Sequence, residues 1–162
     1  MTDEQYHAKN WLMLLRDYEN KLKAEQRTLE ILKQRLFKGV TNYEAPGRHL
    51  DITATRGAYE DTLADFSEQA QRIEKAQREY IAEMQLRREV IDAIPANLQA
   101  LAIDRYINGF KWDRLEQLHP YSIAELHRQN IKILDNVAQI LNTKKTPLTI
   151  TPNQRSQEAA AV

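Results

Sequence analysis

An all-α fold is what this sequence predicts, and three observations point to it. The 162 residues include only four Gly and five Pro. The abundant residues are Glu, Lys, Arg, Gln, Leu and Ala, which lose little rotamer freedom in a helix. Two stretches carry apolar residues at alternating spacings of four and three, the mark of a coiled-coil-like seam. No stretch alternates with the period of two that a strand would need. The expected architecture is a long antiparallel helical hairpin followed by a C-terminal pair of short helices joined by a tight turn.

The first helix is expected over residues 3 to 37. Ala8, Trp11, Leu15, Tyr18, Leu22, Leu29, Leu32 and Leu36 form its stripe, with Glu25 as the one interruption. Between Lys38 and Thr55 the pattern gives way to GVTNYEAPGRHLDITAT, where Gly39, Pro46 and Gly47 break a helix and Asn, Asp and Thr favour turns. A loop is expected there. The second stripe runs through Tyr59, Leu63, Phe66, Ala70, Ile73, Tyr80, Met84 and Ile91, with Gln77 and Arg87 breaking the seam. Two seams of similar length bury each other most simply as an antiparallel hairpin. A two-helix rod buries little surface per residue, so either the C-terminal lobe or another subunit is expected to complete the seam.

Pro95 marks the next boundary, because it pushes the preceding residue out of helical conformation and suits the first turn of a new helix. Leu98, Leu101, Ala102, Ile103, Tyr106 and Ile107 then supply an apolar face up to Asn108-Gly109, where Gly109 fits a helix C-terminal position with positive φ. Trp112, Leu115 and Leu118 give a helix of two turns that His119-Pro120 ends. The last helix is expected from Ser122 to Leu141, with Ile123, Leu126, Ile133, Leu134, Val137 and Leu141 inward. The tail from Asn142, with two prolines and no apolar period, is expected to be disordered. The divisions are therefore a hairpin over 1–94, a helical pair over 95–141 and a tail over 142–162.

Composition narrows the function. There is no Cys, which removes disulfides, thiolate catalysis and Cys-ligated zinc. His7, His49, His119 and His127 are scattered, with no zinc-site spacing. No glycine-rich phosphate loop follows a strand, and the many acidic residues sit on charged helix faces. The chain is accordingly expected not to be an enzyme and to need no cofactor or metal. No apolar run reaches the roughly 18 residues that span a bilayer, and the start MTDEQYHAKN is not a signal sequence. A cytoplasmic protein without membrane contact is expected. Net charge is zero, with 15 Lys/Arg against 17 Asp/Glu in residues 1 to 94 and 8 against 6 in residues 95 to 162. Proteins that live on phosphate contacts usually carry a stronger basic patch than this.

The segment "YINGFKWDRLEQLHPYSIAELHRQNIKIL", residues 106 to 134, is where function is written most clearly. A short helix, a proline turn and a sharply started second helix make a helix-turn-helix, in which the first helix braces the second so that its N-terminal half enters the DNA major groove. Ser122 with Glu125 has the spacing of a capping box, which assigns Glu125 to the cap rather than to a base. With Leu126 and Ile133 inward, Ala124, His127, Arg128, Gln129 and Lys132 turn outward. Arg128 and Lys132 have the reach for phosphates or guanine edges, and Gln129 has the amide geometry for adenine. Lys111 and Arg114 on the bracing helix are placed for backbone contacts, and Ser122 stands at the entrance. A purely structural pair of packed helices is the competing reading, with Trp112 in the core and the charged residues solvated.

The stretch RYINGFKWDRLEQLHPYSIAELHRQNIKIL resembles the C-terminal helix-turn-helix of bacteriophage late-transcription regulators of the ArpU/RinA type, itself similar to region 4 of bacterial sigma factors. The family pattern R-Y-I-x-G-x-x-W is met by Arg105, Tyr106, Ile107, Gly109 and Trp112. Ser122 falls ten residues after the Trp, and Leu126 and Arg128 continue the pattern. Departures are Glu116 where the family has a small residue, His119-Pro120 where it has a Leu-Gly-like pair, and Gln129 where it has an apolar residue. The resemblance implies a phage or prophage DNA-binding regulator that activates late or packaging genes. Its partners would be double-stranded DNA, host RNA polymerase and a second copy of the chain in a dimer. Two other classes stand beside it: a helical protein-interaction adaptor that does not bind DNA, and a DNA-packaging protein of the small terminase type.

Overall fold

The computed structural model describes residues 1–41 and 52–145, and every element among them is helical. Helix α1 (Asp3–Met13) starts at Thr2, whose hydroxyl accepts from the Gln5 amide while the Gln5 side chain accepts from the Thr2 amide. This reciprocal box satisfies two donors that a helix start otherwise leaves open. Helix α2 (Leu15–Thr41) follows after a single-residue break, and α3 (Ile52–Asp92) returns alongside it. The remainder is α4 (Ala96–Ala102), a π-helical turn (Ile103–Ile107), α5 (Trp112–Leu118) and α6 (Ile123–Lys145).

The antiparallel hairpin is as expected. Lys21 pairs with Glu79 at 3.0 Å, Glu25 meets Gln69, and the Trp11 carbonyl meets Arg87, so advancing along one helix means retreating along the other. One seam irregularity is explained by a polar residue beside the opposite stripe. Glu25, which interrupts the first stripe, accepts the Gln69 amide through both its carboxylate and its carbonyl, so the polar residues are satisfied inside the seam.

The single helix expected over 3 to 37 is instead broken at Leu14. Neither Gly nor Pro is present there. In an unbroken helix the Trp11 carbonyl would accept from the Leu15 amide. Here it accepts from Arg87, with Nε at 3.0 Å and Nη2 at 2.7 Å. A side chain that takes over a carbonyl of the ladder is one of the recognised causes of a helix bend. Arg87 has 0% of its side chain exposed, lies 4.6 Å from the centroid of the Trp11 ring, and donates from Nη1 to the carbonyl and carboxylate of Glu83. The residue that spoils the heptad pattern is thus the one that sets the bend. The bend lays α1 against α6, where Gln5 Nε2 donates to Asp135 at 2.6 Å.

The core lies at the base of the hairpin. Ala8 and Leu12 from α1, Val90 and Ile91 from α3, Leu98 and Leu101 from α4, Leu115 from α5, and Leu126, Ile133, Leu134 and Val137 from α6 form one buried cluster. The C-terminal helices therefore complete the seam at this end. The continuous helix expected from Pro95 to Asn108 changes register after Ala102. The Asn108 amide donates to the Ile103 carbonyl five residues back, and the helical segment stops before Gly109, whose φ is 76° as expected. The wide turn directs Tyr106 inward, where its hydroxyl donates to buried Asn130 Oδ1 at 2.7 Å. At the far end of the chain α6 runs four residues beyond Leu141, so 142–145 are helical rather than tail. The loop expected between Lys38 and Thr55 is narrower, since α2 continues to Thr41 and α3 starts at Ile52. Residues 42–51 and 146–162 lie outside the described residues, and with them the rest of the loop and tail expectations.

Candidate nucleic-acid interface

The bracing helix and the helix it braces meet through Leu115 and Leu126, neither with any exposed surface. Between them His119 adopts an extended conformation, and its Nε2 lies 2.9 Å from Asp104 Oδ2 of the π-helical turn. That contact ties the turn to the π-helical segment. Tyr106 bonding to Asn130 holds the middle of α6 to the same π-helical segment, and burial pushes the Tyr106 phenol above its ordinary range.

The first two turns of α6 present an open stripe. Ala124, His127, Arg128 and Ile131 are exposed at spacings of three and four, which places them on one helix face, with exposed Lys132 bordering it. Gln129 sits half-buried at the edge, with no hydrogen bond from its side chain. Arg128 has 72% of its side chain exposed and is paired with Glu125 at 3.0 Å. Such exposed pairs contribute little stability and exchange readily. Ser122 is exposed and accepts from the Glu125 amide at 3.4 Å. The capping box expected here is only half formed, because the Glu125 carboxylate turns to Arg128 instead of returning to the Ser122 amide.

On α5 the Lys111 carbonyl accepts from the Arg114 and Leu115 amides, while its side chain is exposed with no ion-pair partner. Arg114 is exposed and donates to Gln117 at 3.1 Å. Trp112 is only partly buried. Its indole lies 4.1 Å from the His127 ring and 4.6 Å from the Arg105 guanidinium, centre to centre. His127 is therefore held against a fixed platform rather than projecting freely beside Arg128.

Three residues of this region were not among the contact residues expected from the sequence, although Arg105 stood in the motif. Ile131 is 48% exposed on the outward stripe, and its signal was its position, seven residues after Ala124. Arg105 is fixed by donating to the Phe110 carbonyl at 2.8 Å. Desolvation lowers its pKa, and the positive charge of Arg16 lowers it further, against an opposing effect from Tyr106. Arg16 arrives from α2, 89 positions earlier, and no local signal in the chain connects it to this site.

Among the described residues no group of three His, Cys, Asp or Glu could hold a metal ion, and no helix is long and apolar enough to cross a membrane. No family model matches the chain, and no curated protein or solved structure is significantly similar to it.

Proposed function

We propose that this protein is a sequence-specific DNA-binding transcriptional regulator of phage or prophage type, acting on late or packaging genes. The single observation that carries this reading is the open stripe on the first two turns of a helix that is braced from behind by α5. In this reading His127, Arg128, Gln129 and Lys132 enter the major groove together with Ile131, whose aliphatic side chain suits contact with a thymine methyl. Lys111 and Arg114 pin phosphates, and Ser122 and Ala124 line the entrance. One module with so few cations binds weakly, so a second copy of the chain or RNA polymerase supplies the remaining affinity.

The test is a footprint on the cognate phage genome with purified protein, with and without polymerase, followed by the double variant Arg128→Ala, Lys132→Ala. A protected operator that is lost or at least tenfold weaker in the variant supports the reading; unchanged affinity removes these residues from the interface. A protein-only adaptor is the second reading, favoured by the exposed apolar side chains of Leu118 and Tyr121 at the α5–α6 turn. Phosphate contacts release counterions and protein contacts do not, so the salt dependence of binding separates the two.

A further inference from the structure

We infer that Arg16 and Arg105 together hold one backbone phosphate of the duplex that α6 reads, extending the interface onto the base of the hairpin. The inference rests on the DNA-binding reading and adds a site to it. Arg105 is immobilised twice, by its bond to the Phe110 carbonyl and by its stack on Trp112. Arg16 lies directly over Gly109; a Cβ at that position would fall on its guanidinium. Gly109 therefore serves two ends, the positive φ of the turn and the close approach of a cation. Neither guanidinium has a carboxylate partner. Asp104, next in the chain to Arg105, is occupied by His119 and Asn108.

Two half-buried arginines brought together without a counter-charge oppose folding, and a protein that keeps such a pair has a use for the unpaired charge. A planar guanidinium presents a donor fork that matches phosphate oxygens. The position selects a duplex phosphate over a free anion. Arg105 contacts Trp112, and Trp112 contacts His127 on the outward stripe, so the two arginines form the end of a continuous strip that begins on the reading helix. The like charge of Arg16 also accounts in part for the lowered pKa of Arg105, which an arriving phosphate would reverse.

The test uses the full chain and a labelled mixed-sequence duplex titrated with KCl. In Arg16→Gln, which leaves Arg105 alone on the phosphate, the slope of log affinity against log salt is expected to flatten by a fraction of the roughly 0.9 that a fully lost phosphate would give. Arg16→Glu is the sharper variant, since the new carboxylate can pair with Arg105 and close the site. It is expected to raise the thermal midpoint while weakening duplex binding more than Arg16→Gln does. A role in packing alone would lower the midpoint instead. The inference is overturned if Arg16→Glu is less stable than the parent. It is equally overturned if both variants keep the parent's affinity and salt slope while the Arg128→Ala, Lys132→Ala double variant loses affinity, an outcome that leaves the DNA-binding reading standing. If the parent binds no duplex at all, both fall. Stabilisation by inorganic phosphate that disappears in Arg16→Glu would then reassign the pair to a small phosphorylated ligand.

Discussion

The base of the molecule and the distal part of its hairpin use the same kind of heptad stripe and bury it to very different degrees. At the base, Leu12, Ile91, Leu101, Leu115, Leu126, Ile133 and Leu134 have no more than 2% of their surface exposed, because α1, α3, α4, α5 and α6 surround them on all sides. Farther along, Leu29, Leu32 and Leu36 of α2 and Phe66 of α3 occupy equivalent seam positions and are only half-buried, while Ile31, Tyr59 and Leu63 are exposed. Two helices can cover one side of a seam and leave the other open. Periodicity states which face is apolar; the number of neighbours decides how much free energy that face returns.

The distal part also differs in charge. Between residues 21 and 38, α2 carries Lys21, Lys23, Arg27, Lys33, Arg35 and Lys38 against Glu25 and Glu30, whereas residues 57 to 68 of α3 carry Glu60, Asp61, Asp65 and Glu68 and no base. Opposite signs on the two helices favour their pairing where apolar burial is thin, but exposed pairs add only tenths of a kcal/mol each and are screened by salt. The largest expected contrast follows from this. Leu126→Ala or Leu134→Ala should cost about 2–5 kcal/mol, the range for large-to-small changes in a closed core, whereas Leu32→Ala should cost about 1 kcal/mol or less, since its surroundings are already partly wet. Urea denaturation of the three variants measures the contrast. Equal losses would mean that the distal seam is closed in solution by something beyond its two helices.

Arg87 sits at the boundary between the two regions and offers the next largest effect. Arg87→Met keeps an apolar stem against Trp11 but deprives the Trp11 carbonyl of its donor and leaves Glu83 without its cation. An unsatisfied buried acceptor costs about 1–3 kcal/mol, and Glu83, being partly exposed, adds less than a fully buried partner would. The expected loss is therefore about 2–3 kcal/mol, accompanied by a changed near-ultraviolet circular dichroism signal from Trp11. A smaller loss would show that the Leu15 amide recovers the Trp11 carbonyl and that α1 and α2 merge into one helix. In that case α1 should swing off α6, and amide exchange around Gln5 and Asp135 should accelerate.

Much of this organisation was legible in the chain. Both long seams, the stop at Gly109, the two-turn helix after Trp112 and the outward placement of Ala124, His127, Arg128 and Lys132 follow from spacing and from a few breakers, because those are properties of neighbours in sequence. The break at Leu14 was not legible. It depends on a guanidinium from residue 87, and a residue that merely spoils a heptad looks the same whether it is solvated or inserted into another helix. The partnering of Glu25 with Gln69 was hidden in the same way. The π-helical turn left no trace either, since nothing in Ile103 to Ile107 distinguishes it from an α-helical stretch and the Tyr106–Asn130 bond that accompanies it joins residues far apart in sequence. At the candidate site, residues adjacent in sequence could be assigned to a face, while the approach of Arg16 to Arg105 exists only after the bend has formed.

The smallest expected effect distinguishes the inner and outer rims of the base itself. Helices α1 and α6 both begin with a hydroxyl residue followed three positions later by Gln or Glu, so their start signals look alike in sequence. At α1 both reciprocal bonds are made, and Gln5 is further anchored to Asp135. At α6 only the hydroxyl bond is made, at 3.4 Å against 3.3 Å for its counterpart at α1, and the reciprocal bond is missing because Glu125 is drawn off by Arg128. Thr2→Ala should accordingly cost about 1 kcal/mol, in the middle of the range for lost caps, and Ser122→Ala about 0.5 kcal/mol, at its lower end. Arg128→Ala should then act on the second cap alone: with its competitor gone, Glu125 is free to return to the residue-122 amide, and if that bond fixes the cap residue so that the Ser122 hydroxyl bond tightens with it, the cost of Ser122→Ala measured in that background should rise toward that of Thr2→Ala. A double-mutant cycle of Ser122 and Arg128 by thermal denaturation reads this coupling directly. Additive losses would mean that Glu125 does not exchange between Arg128 and the cap. Coupling would mean that removing Arg128 from its carboxylate, as a competing anion would, tightens the start of α6.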